Sequence, residues 1–162
     1  MLYCQGYTVS FQEVPDETSL VFLIADCPHR CPGCHSPDLQ KPRGSNLEHI
    51  LPMALEEYRD AITCVCFMGE GQDPEAMERC ALYVKSLGLR TALYEGTTGL
   101  GDWDYRLFDY IKFGPYIASR GGLDKVTTNQ VMVRIEYEPD STIRFTNITY
   151  KFRRKSAADF PI

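Results

Sequence analysis

The sequence contains no long hydrophobic run and no excess of positive charge. Its apolar stretches are much shorter than the ~20 residues that a membrane-spanning helix needs, and no basic start followed by an apolar run marks a signal peptide. We therefore expect a cytoplasmic protein without a membrane partner. The formal net charge of -5 disfavours binding to nucleic acid, because affinity for the phosphate backbone comes from clustered Lys and Arg.

Internal repeats are also absent. The 162 residues are close to the ~150 residues typical of one domain. The hydrophobic share of 44% and the charged share of 24% are ordinary values for a globular protein. We expect one domain over residues 1–155 and a frayed tail over residues 156–162, which offer few side chains to a core.

The number of cysteines is odd. Seven cysteines without an export signal predict a reducing compartment, where a metal or redox role is favoured over a disulfide framework. Three of them lie between residues 27 and 34. Cys64, Cys66 and Cys80 lie in predicted strands and helices and are interpreted as small core residues. Cys4 is either a buried or a reactive thiol.

Short apolar runs alternate with amphipathic segments along the chain. Strands are predicted over residues 20–25, 64–68, 91–94 and 110–113, helices over residues 46–59 and 74–87, and a short helical segment over residues 104–108. Ser45 and Glu48 fit a capping box for the first helix, in which Pro52 predicts a kink or a restart. Asp73 is a suitable N-cap for the second helix.

This order of elements predicts an α/β domain with a mainly parallel sheet, because strands that alternate with helices form right-handed crossovers. Residues 131–135 and 143–148 form two extended runs around a turn at residues 138–141, which predicts a C-terminal extended hairpin. Residues 3–11 predict an additional N-terminal strand. Chemistry is expected at the carboxyl ends of the parallel strands.

Cys27, Cys31 and Cys34 have the spacing C-x-x-x-C-x-x-C on one predicted loop. Thiolates this close in sequence can converge on one iron-sulfur cluster or one metal ion. A four-iron cluster bound only by protein uses four cysteines, whereas this loop offers three. One iron can therefore be open to bind a substrate and pass it an electron.

Two other interpretations use the same cysteines. With His29 or His35 they could form a Cys₃His zinc site, although such sites usually stabilise small loop-rich modules rather than a chain with this much apolar strand and helix. A cluster without a substrate would make the chain a simple electron carrier. Outside a metal site, His29 is expected at the surface.

The cysteine loop resembles that of the radical S-adenosylmethionine enzymes. Its last part, Cys-Pro-Gly-Cys-His over residues 31–35, is similar in particular to the anaerobic ribonucleotide reductase activating proteins. Residues 67–71 resemble the family's Gly-Gly-Glu-Pro segment, with Met68 and Gly71 in place of its first glycine and its proline. Later landmarks of the family are matched by residues 114–116 and 128–130, so the resemblance covers most of the chain.

This resemblance implies a fold and a set of site residues. The fold would be a shortened, open partial (βα) barrel of the radical S-adenosylmethionine type. A [4Fe-4S] cluster would be held by Cys27, Cys31 and Cys34, with S-adenosylmethionine on the fourth iron. The cofactor would be contacted by Gly33, His35, Gly69 and Glu70. From the residues alone, Glu70 could instead accept backbone N–H groups, and His35 could be an ordinary half-exposed histidine.

The implied enzyme is an oxidoreductase that generates a glycyl radical. An electron from the cluster would split S-adenosylmethionine into methionine and a 5′-deoxyadenosyl radical, which removes a hydrogen atom from a glycine of a partner protein. The implied partners are the catalytic subunit of anaerobic (class III) ribonucleotide reductase and a low-potential electron donor such as flavodoxin or ferredoxin. Another glycyl-radical enzyme, such as pyruvate formate-lyase, is the alternative partner. The generally greater length of its activases favours the reductase.

Overall fold

A computed structural model describes residues 1–34 and 36–153. Within these ranges the chain forms two α-helices and one eight-stranded sheet. The strands are β1 (Tyr3–Ser10), β2 (Ser19–Ile24), β3 (Ser45–Asn46), β4 (Cys64–Met68), β5 (Arg90–Tyr94), β6 (Tyr110–Phe113), β7 (Val131–Tyr137) and β8 (Ile143–Asn147). The helices are α1 (Leu47–Tyr58) and α2 (Pro74–Ser86), and short 3₁₀ turns occur at Pro37–Gln40, Arg59–Ala61, Tyr105–Leu107 and Thr149–Phe152.

None of the helices described has the length and apolar character needed to cross a membrane. The predicted tail over residues 156–162 lies outside the described residues.

The domain is α/β, and its sheet is mixed, with the strand order β3-β1-β2-β4-β5-β6-β7-β8. The four central strands, β2, β4, β5 and β6, run parallel to their neighbours among these four. The pairings of β1 and β3 on one side of them, and of β7 and β8 on the other side, are antiparallel. The expectation of a mainly parallel sheet is therefore wrong, since four of the seven pairings between described strands are antiparallel. A parallel crossover takes about a dozen residues or more. The eight residues between β1 and β2 allow only an antiparallel return.

Helix α1 begins at a different cap from the one predicted. The side chain of Asn46, and not that of Ser45, accepts the Glu48 N–H at 3.0 Å, because Asn46 directly precedes the first helical residue, Leu47. Pro52 lies inside a continuous helix and does not divide it. Helix α2 begins as predicted, with the Asp73 carboxylate accepting a backbone N–H of the first turn at 3.1 Å.

The predicted strands at both ends of the chain are confirmed. β1 pairs with β2 along its length. β7 and β8 form the C-terminal hairpin, in which Ile135 lies opposite Phe145.

Both helices lie on one face of the sheet. Alternate side chains of the parallel strands point to the helices and join one core, which includes Phe22, Phe67, Leu93 and Ile111. The opposite face, called the helix-free face below, carries a second and smaller cluster that includes Val21, Cys66, Ala92, Tyr110 and Met132. Loops cover this second cluster through Val14, Leu123, Ile148 and Phe152.

A buried carboxylate joins the amino-terminal ends of the parallel strands. Glu17 accepts hydrogen bonds from Tyr110 Oη and Thr63 Oγ1, each at 2.7 Å, and from Arg90 Nη1 at 3.3 Å. Thr63 precedes β4, Arg90 begins β5 and Tyr110 begins β6. A buried charge is tolerated when it has such partners. The Glu17 network therefore fixes one end of the sheet, and the opposite end carries the cysteine loop.

Candidate functional site

The three clustered cysteines lie on the loop that follows β2, at the carboxyl edge of the parallel strands. Backbone hydrogen bonds hold this loop: the Cys27 N–H donates to Leu39 O at 3.1 Å, and the Cys34 N–H donates to Cys31 O at 3.1 Å. All three thiols are free, and their residues are partly exposed. The loop thus presents three accessible sulfur atoms on a defined backbone.

The four cysteines outside the loop are in a different environment. Cys4, Cys64, Cys66 and Cys80 are each 3% exposed or less. Burial raises the pKa of all four thiols, to about 12 for Cys80, which keeps them protonated and unreactive. The interpretation of Cys64, Cys66 and Cys80 as core residues is confirmed, and Cys4 is a buried thiol.

The loop thiols share one electrostatic neighbourhood. Burial raises the pKa of Cys27, a backbone hydrogen bond from His29 opposes this shift, and the negative charges of Glu70, Cys31 and Cys34 add to it. Among the residues described, no group of three or more His, Cys, Asp or Glu side chains is arranged to hold a single metal ion. In a cubane cluster each cysteine binds a different iron, so its ligands lie farther apart than those of one ion.

Glu70 follows β4 and connects the cysteine loop to the ends of two strands. Its carboxylate accepts hydrogen bonds from His29 Nε2 and from the Gly96 N–H just after β5. Burial raises the pKa of Glu70, and the hydrogen bond from His29 opposes the shift. His29 is partly exposed, with 27% of its side chain accessible, and its ring also packs so closely on Gly96 that a Cβ added to Gly96 would lie 2.6 Å from it.

The other predicted cofactor contacts lie at the same edge, apart from His35, which lies outside the described residues and whose contact stays a prediction. Gly69 has φ 120°, and a Cβ added to it would lie 2.9 Å from Ile24 O. The packing of β2 therefore requires a glycine there. Gly33 has φ 70°, a left-handed conformation within the cysteine loop that also favours glycine.

A buried lysine, which the sequence analysis did not identify, faces the cysteine loop. Lys112, in β6 on the helix-free face, is 8% exposed, and its Nζ donates to Gly114 O at 2.9 Å and to Glu95 O at 3.4 Å. Burial lowers its pKa to about 8, and the negative charges of the loop thiolates, Glu70 and Glu95 oppose that shift. Lys112 is thus the cation that complements the acidic groups of the site.

Glu95, directly after β5, is a second buried charge that the sequence analysis missed. Its carboxylate accepts the Gly101 N–H at 2.7 Å and the Trp103 Nε1–H at 2.6 Å. Glu95 directly follows the short apolar run over residues 91–94, whereas Lys112 lies inside the run over residues 110–113. The carboxyl ends of parallel strands meet at one edge, so the position of Glu95 was a signal that could have found it, and Lys112 had no such signal.

Comparison with known proteins adds nothing to this site. No family model, curated protein or solved structure matches the chain. The chemistry is therefore inferred from the groups that the fold brings together. Accessible thiols can bind a metal centre, the Glu70 carboxylate can bind a cation, and the Lys112 ammonium can bind an anion, all at one edge of the sheet.

Lys112→Met should stabilise the cofactor-free protein at neutral pH. The folded-state pKa of Lys112, about 8, lies below the ordinary value of 10.5. Protonated Lys112 therefore destabilises the fold below pH 8, and this cost disappears as the pH rises from 8 past 10.5. The difference between the folded-state pKa and the ordinary pKa of Lys112 corresponds to about 3 kcal/mol of folding free energy. We expect the variant's free energy of unfolding to exceed that of the wild type by about 1–3 kcal/mol at pH 7.

Urea unfolding of both proteins at neutral pH and near the ordinary lysine pKa measures this effect. The advantage of Lys112→Met should shrink at the higher pH. Lys125→Met is the control, because Lys125 is exposed and its replacement should leave the difference near zero at both pH values. An equal advantage of Lys112→Met at both pH values would contradict the assignment of a buried ammonium group.

Proposed function

We propose that the chain binds a [4Fe-4S] cluster through Cys27, Cys31 and Cys34 and uses it with S-adenosylmethionine to place a glycyl radical on a partner enzyme. The observation that carries the proposal is the contrast among the seven cysteines. Three share one accessible loop at the carboxyl edge of the parallel strands, and the other four are buried and protonated. The bound cluster would supply the electron that splits S-adenosylmethionine.

The residues of the loop fit such a cluster. Cysteine thiolates are its usual protein ligands, and the backbone hydrogen bonds of Cys27 and Cys34 hold the loop in place. With three protein ligands, one iron would remain available to a substrate. This chemistry distinguishes the proposed enzyme from an electron carrier with four cysteine ligands.

Glu70 and Lys112 would bind the amino and carboxylate groups of the amino-acid part of S-adenosylmethionine. The Glu70 carboxylate would accept a hydrogen bond from the amino group in exchange for His29, and the Lys112 ammonium would pair with the carboxylate. Both side chains are largely buried, where a charge pair is stronger than in water. Gly69 and Gly33 would let the backbone approach the same molecule.

The arrangement of the sheet supports a shortened, open partial barrel of the radical S-adenosylmethionine type. Strands β2, β4, β5 and β6 follow one another in space as they do along the chain. Both helices pack on one face of these strands, as in a section of a (βα) barrel and unlike a doubly wound sheet. The antiparallel strands on either side would leave this barrel unclosed.

An open helix-free face suits a protein substrate. It carries a groove of about 860 Å³, lined in part by Phe11, Tyr94, Leu123 and Tyr150. The centre of the Tyr94 ring lies 5.8 Å from Lys112 Nζ, so the groove approaches the proposed cofactor site at that point. Phe11 and Tyr150 are 73% and 62% exposed, as expected of a surface that binds a protein segment. We propose the catalytic subunit of anaerobic ribonucleotide reductase as the partner.

Anaerobic reconstitution and activation test the proposal. The reduced, cluster-loaded protein, mixed with S-adenosylmethionine and the anaerobic ribonucleotide reductase from the same cell, should produce a glycine-centred doublet in electron paramagnetic resonance. Methionine and 5′-deoxyadenosine should form in the same mixture. A reductase whose radical glycine is replaced by alanine is the control and should give no doublet.

The other outcomes distinguish the alternative functions. A doublet with a formate-lyase-type enzyme and none with the reductase would keep the radical chemistry and change the partner. A cluster that is reduced and leaves S-adenosylmethionine intact would make the chain an electron carrier. A colourless protein with one zinc ion per chain would overturn the proposal.

A further inference from the structure

Three exposed cations flank the cysteine loop. Arg30 belongs to the loop, and Lys41 and Arg43 belong to the segment that returns to β3. The Asp26 N–H donates to Lys41 O at 3.1 Å, and Arg30 Nη1 donates to Gln40 O at 3.0 Å, so the two segments run side by side. Arg30, Lys41 and Arg43 are called the basic flank below.

The three residues of the basic flank have no carboxylate partners among the described residues, a property that they share with Arg59, Lys112, Arg120 and Arg153. In the part of the chain that the structure describes, eight Lys and Arg side chains form ion pairs with Asp or Glu, and the three flank residues form none there. Unpaired cations on a chain of net charge -5 are available to an acidic partner.

Two carboxylates lie near the flank along the sequence. Asp26 Oδ1 accepts a hydrogen bond from Gln72 Nε2 at 3.0 Å, and this bond directs the Asp26 carboxylate toward the turn after β4. Asp38 is exposed on the 3₁₀ turn at Pro37–Gln40. Three cations against these two anions leave the flank net positive, although the chain as a whole is acidic.

The flank also lies apart from the groove on the helix-free face. The described residues that line this groove come from the β1–β2 loop, the end of β5, the β6–β7 loop and the last 3₁₀ turn. None of them belongs to the flank, so a partner on the flank and a protein substrate in the groove would contact different residues.

We propose that the basic flank is the docking site of the electron donor, a small redox protein with an acidic surface around its own redox group. This inference rests on the proposed function, because it requires a cluster on the adjacent thiols. The reduced donor would give up one electron and the cluster would take up one, with no bond formed or broken. Electron-transfer interfaces are small, below about 1,200 Å², so a few cations beside the thiols are enough to orient the donor. Such steering weakens as salt rises.

Charge reversal at Lys41 and Arg43 tests the docking site. The cluster-loaded protein is mixed with reduced, acidic flavodoxin, and the bleaching of the cluster's visible absorption gives the rate constant of its reduction. In Lys41→Glu/Arg43→Glu the rate constant at low salt should fall by about tenfold or more, and its dependence on salt should flatten. Reduction by dithionite should not change. Lys41→Gln/Arg43→Gln should give an intermediate rate constant.

The control is Arg59→Glu/Arg144→Glu, which changes the net charge equally at two exposed sites, in the 3₁₀ turn after α1 and on β8. Arg144→Glu also breaks the ion pair with Glu138, but an exposed pair contributes little to stability. Its rate constant should stay within about twofold of the wild type. Equal slowing of the control and flank variants would assign the effect to net charge and overturn the docking site. An unchanged rate constant in Lys41→Glu/Arg43→Glu would overturn it as well.

Failure of the proposed function gives a different result. If the protein takes up no cluster, or dithionite cannot reduce it, the proposed function fails. Calorimetric titration of flavodoxin into the cofactor-free protein at low salt then tests the flank separately. Loss of binding in Lys41→Glu/Arg43→Glu alone would support the docking site, and its retention would overturn it.

Discussion

Replacement of Cys27, Cys31 or Cys34 by alanine is expected to remove nearly all bound iron. The proposed cluster has only three protein ligands, so the loss of one thiolate leaves it held at two irons. Anaerobically reconstituted wild-type protein should be brown and hold about four irons per chain, and each variant should hold less than about a tenth of that. Iron and sulfide analysis together with the visible spectrum measures the difference.

Cys80→Ala and Cys66→Ala are the matched controls, because both thiols are buried in the two apolar clusters and away from the loop. These variants should keep their iron. The small cavity that each creates should cost about 1 kcal/mol of stability. Iron loss in Cys80→Ala equal to that in the loop variants would contradict the assignment of the ligands.

Glu70→Gln and Lys112→Met should weaken the binding of S-adenosylmethionine and leave the cluster in place. Each variant removes the buried charge that is proposed to contact either the amino or the carboxylate group of S-adenosylmethionine. Removal of one partner of a buried charge pair costs about 2–4 kcal/mol, which corresponds to roughly 30- to 900-fold in Kd. Titration of S-adenosylmethionine into the cluster-loaded proteins, followed by the change in the cluster's paramagnetic spectrum, gives the affinities.

Glu95→Gln is the control that distinguishes weaker cofactor binding from a loss of stability. Glu95 is a buried carboxylate at the neighbouring strand end, but its oxygens are already used by the Gly101 and Trp103 N–H groups. Its replacement should change the affinity for S-adenosylmethionine by less than about threefold and should lower stability instead. Lys112→Met should do the reverse, with weaker binding and a more stable fold. Unchanged affinity in both Glu70→Gln and Lys112→Met would place the cofactor elsewhere.

Local sequence patterns predict most of the strands and helices, because these elements depend on short-range features. The apolar run after Ser19 and the Asp73-Pro74 start of α2 are examples. Strand direction at the sides of the sheet is a different kind of property. It depends on connection length and on pairing between distant residues. The short β1–β2 connection and the C-terminal hairpin of β7 and β8 can be read from the sequence, whereas the antiparallel pairing of β7 with β6 cannot.

The candidate site also has a part that local sequence predicts and a part that only the fold reveals. The spacing of Cys27, Cys31 and Cys34 identifies them from the sequence, because the motif is local. A single lysine in a short strand resembles an ordinary exposed residue, and only the fold places Lys112 in the interior opposite the thiols. His29 donates a hydrogen bond to Glu70, 41 residues away, a contact that no local pattern predicts. The site therefore depends on the meeting of four strand ends.

The Glu17 network at the far end of the same strands has a consequence for how the protein matures. Tyr110, Thr63 and Arg90 hold that end through side-chain hydrogen bonds, and the apolar core beneath the helices contains no metal ligand of the loop. We therefore expect the chain to fold without the proposed cluster. Loss of that cluster to oxygen would then leave a folded protein that could bind a new one.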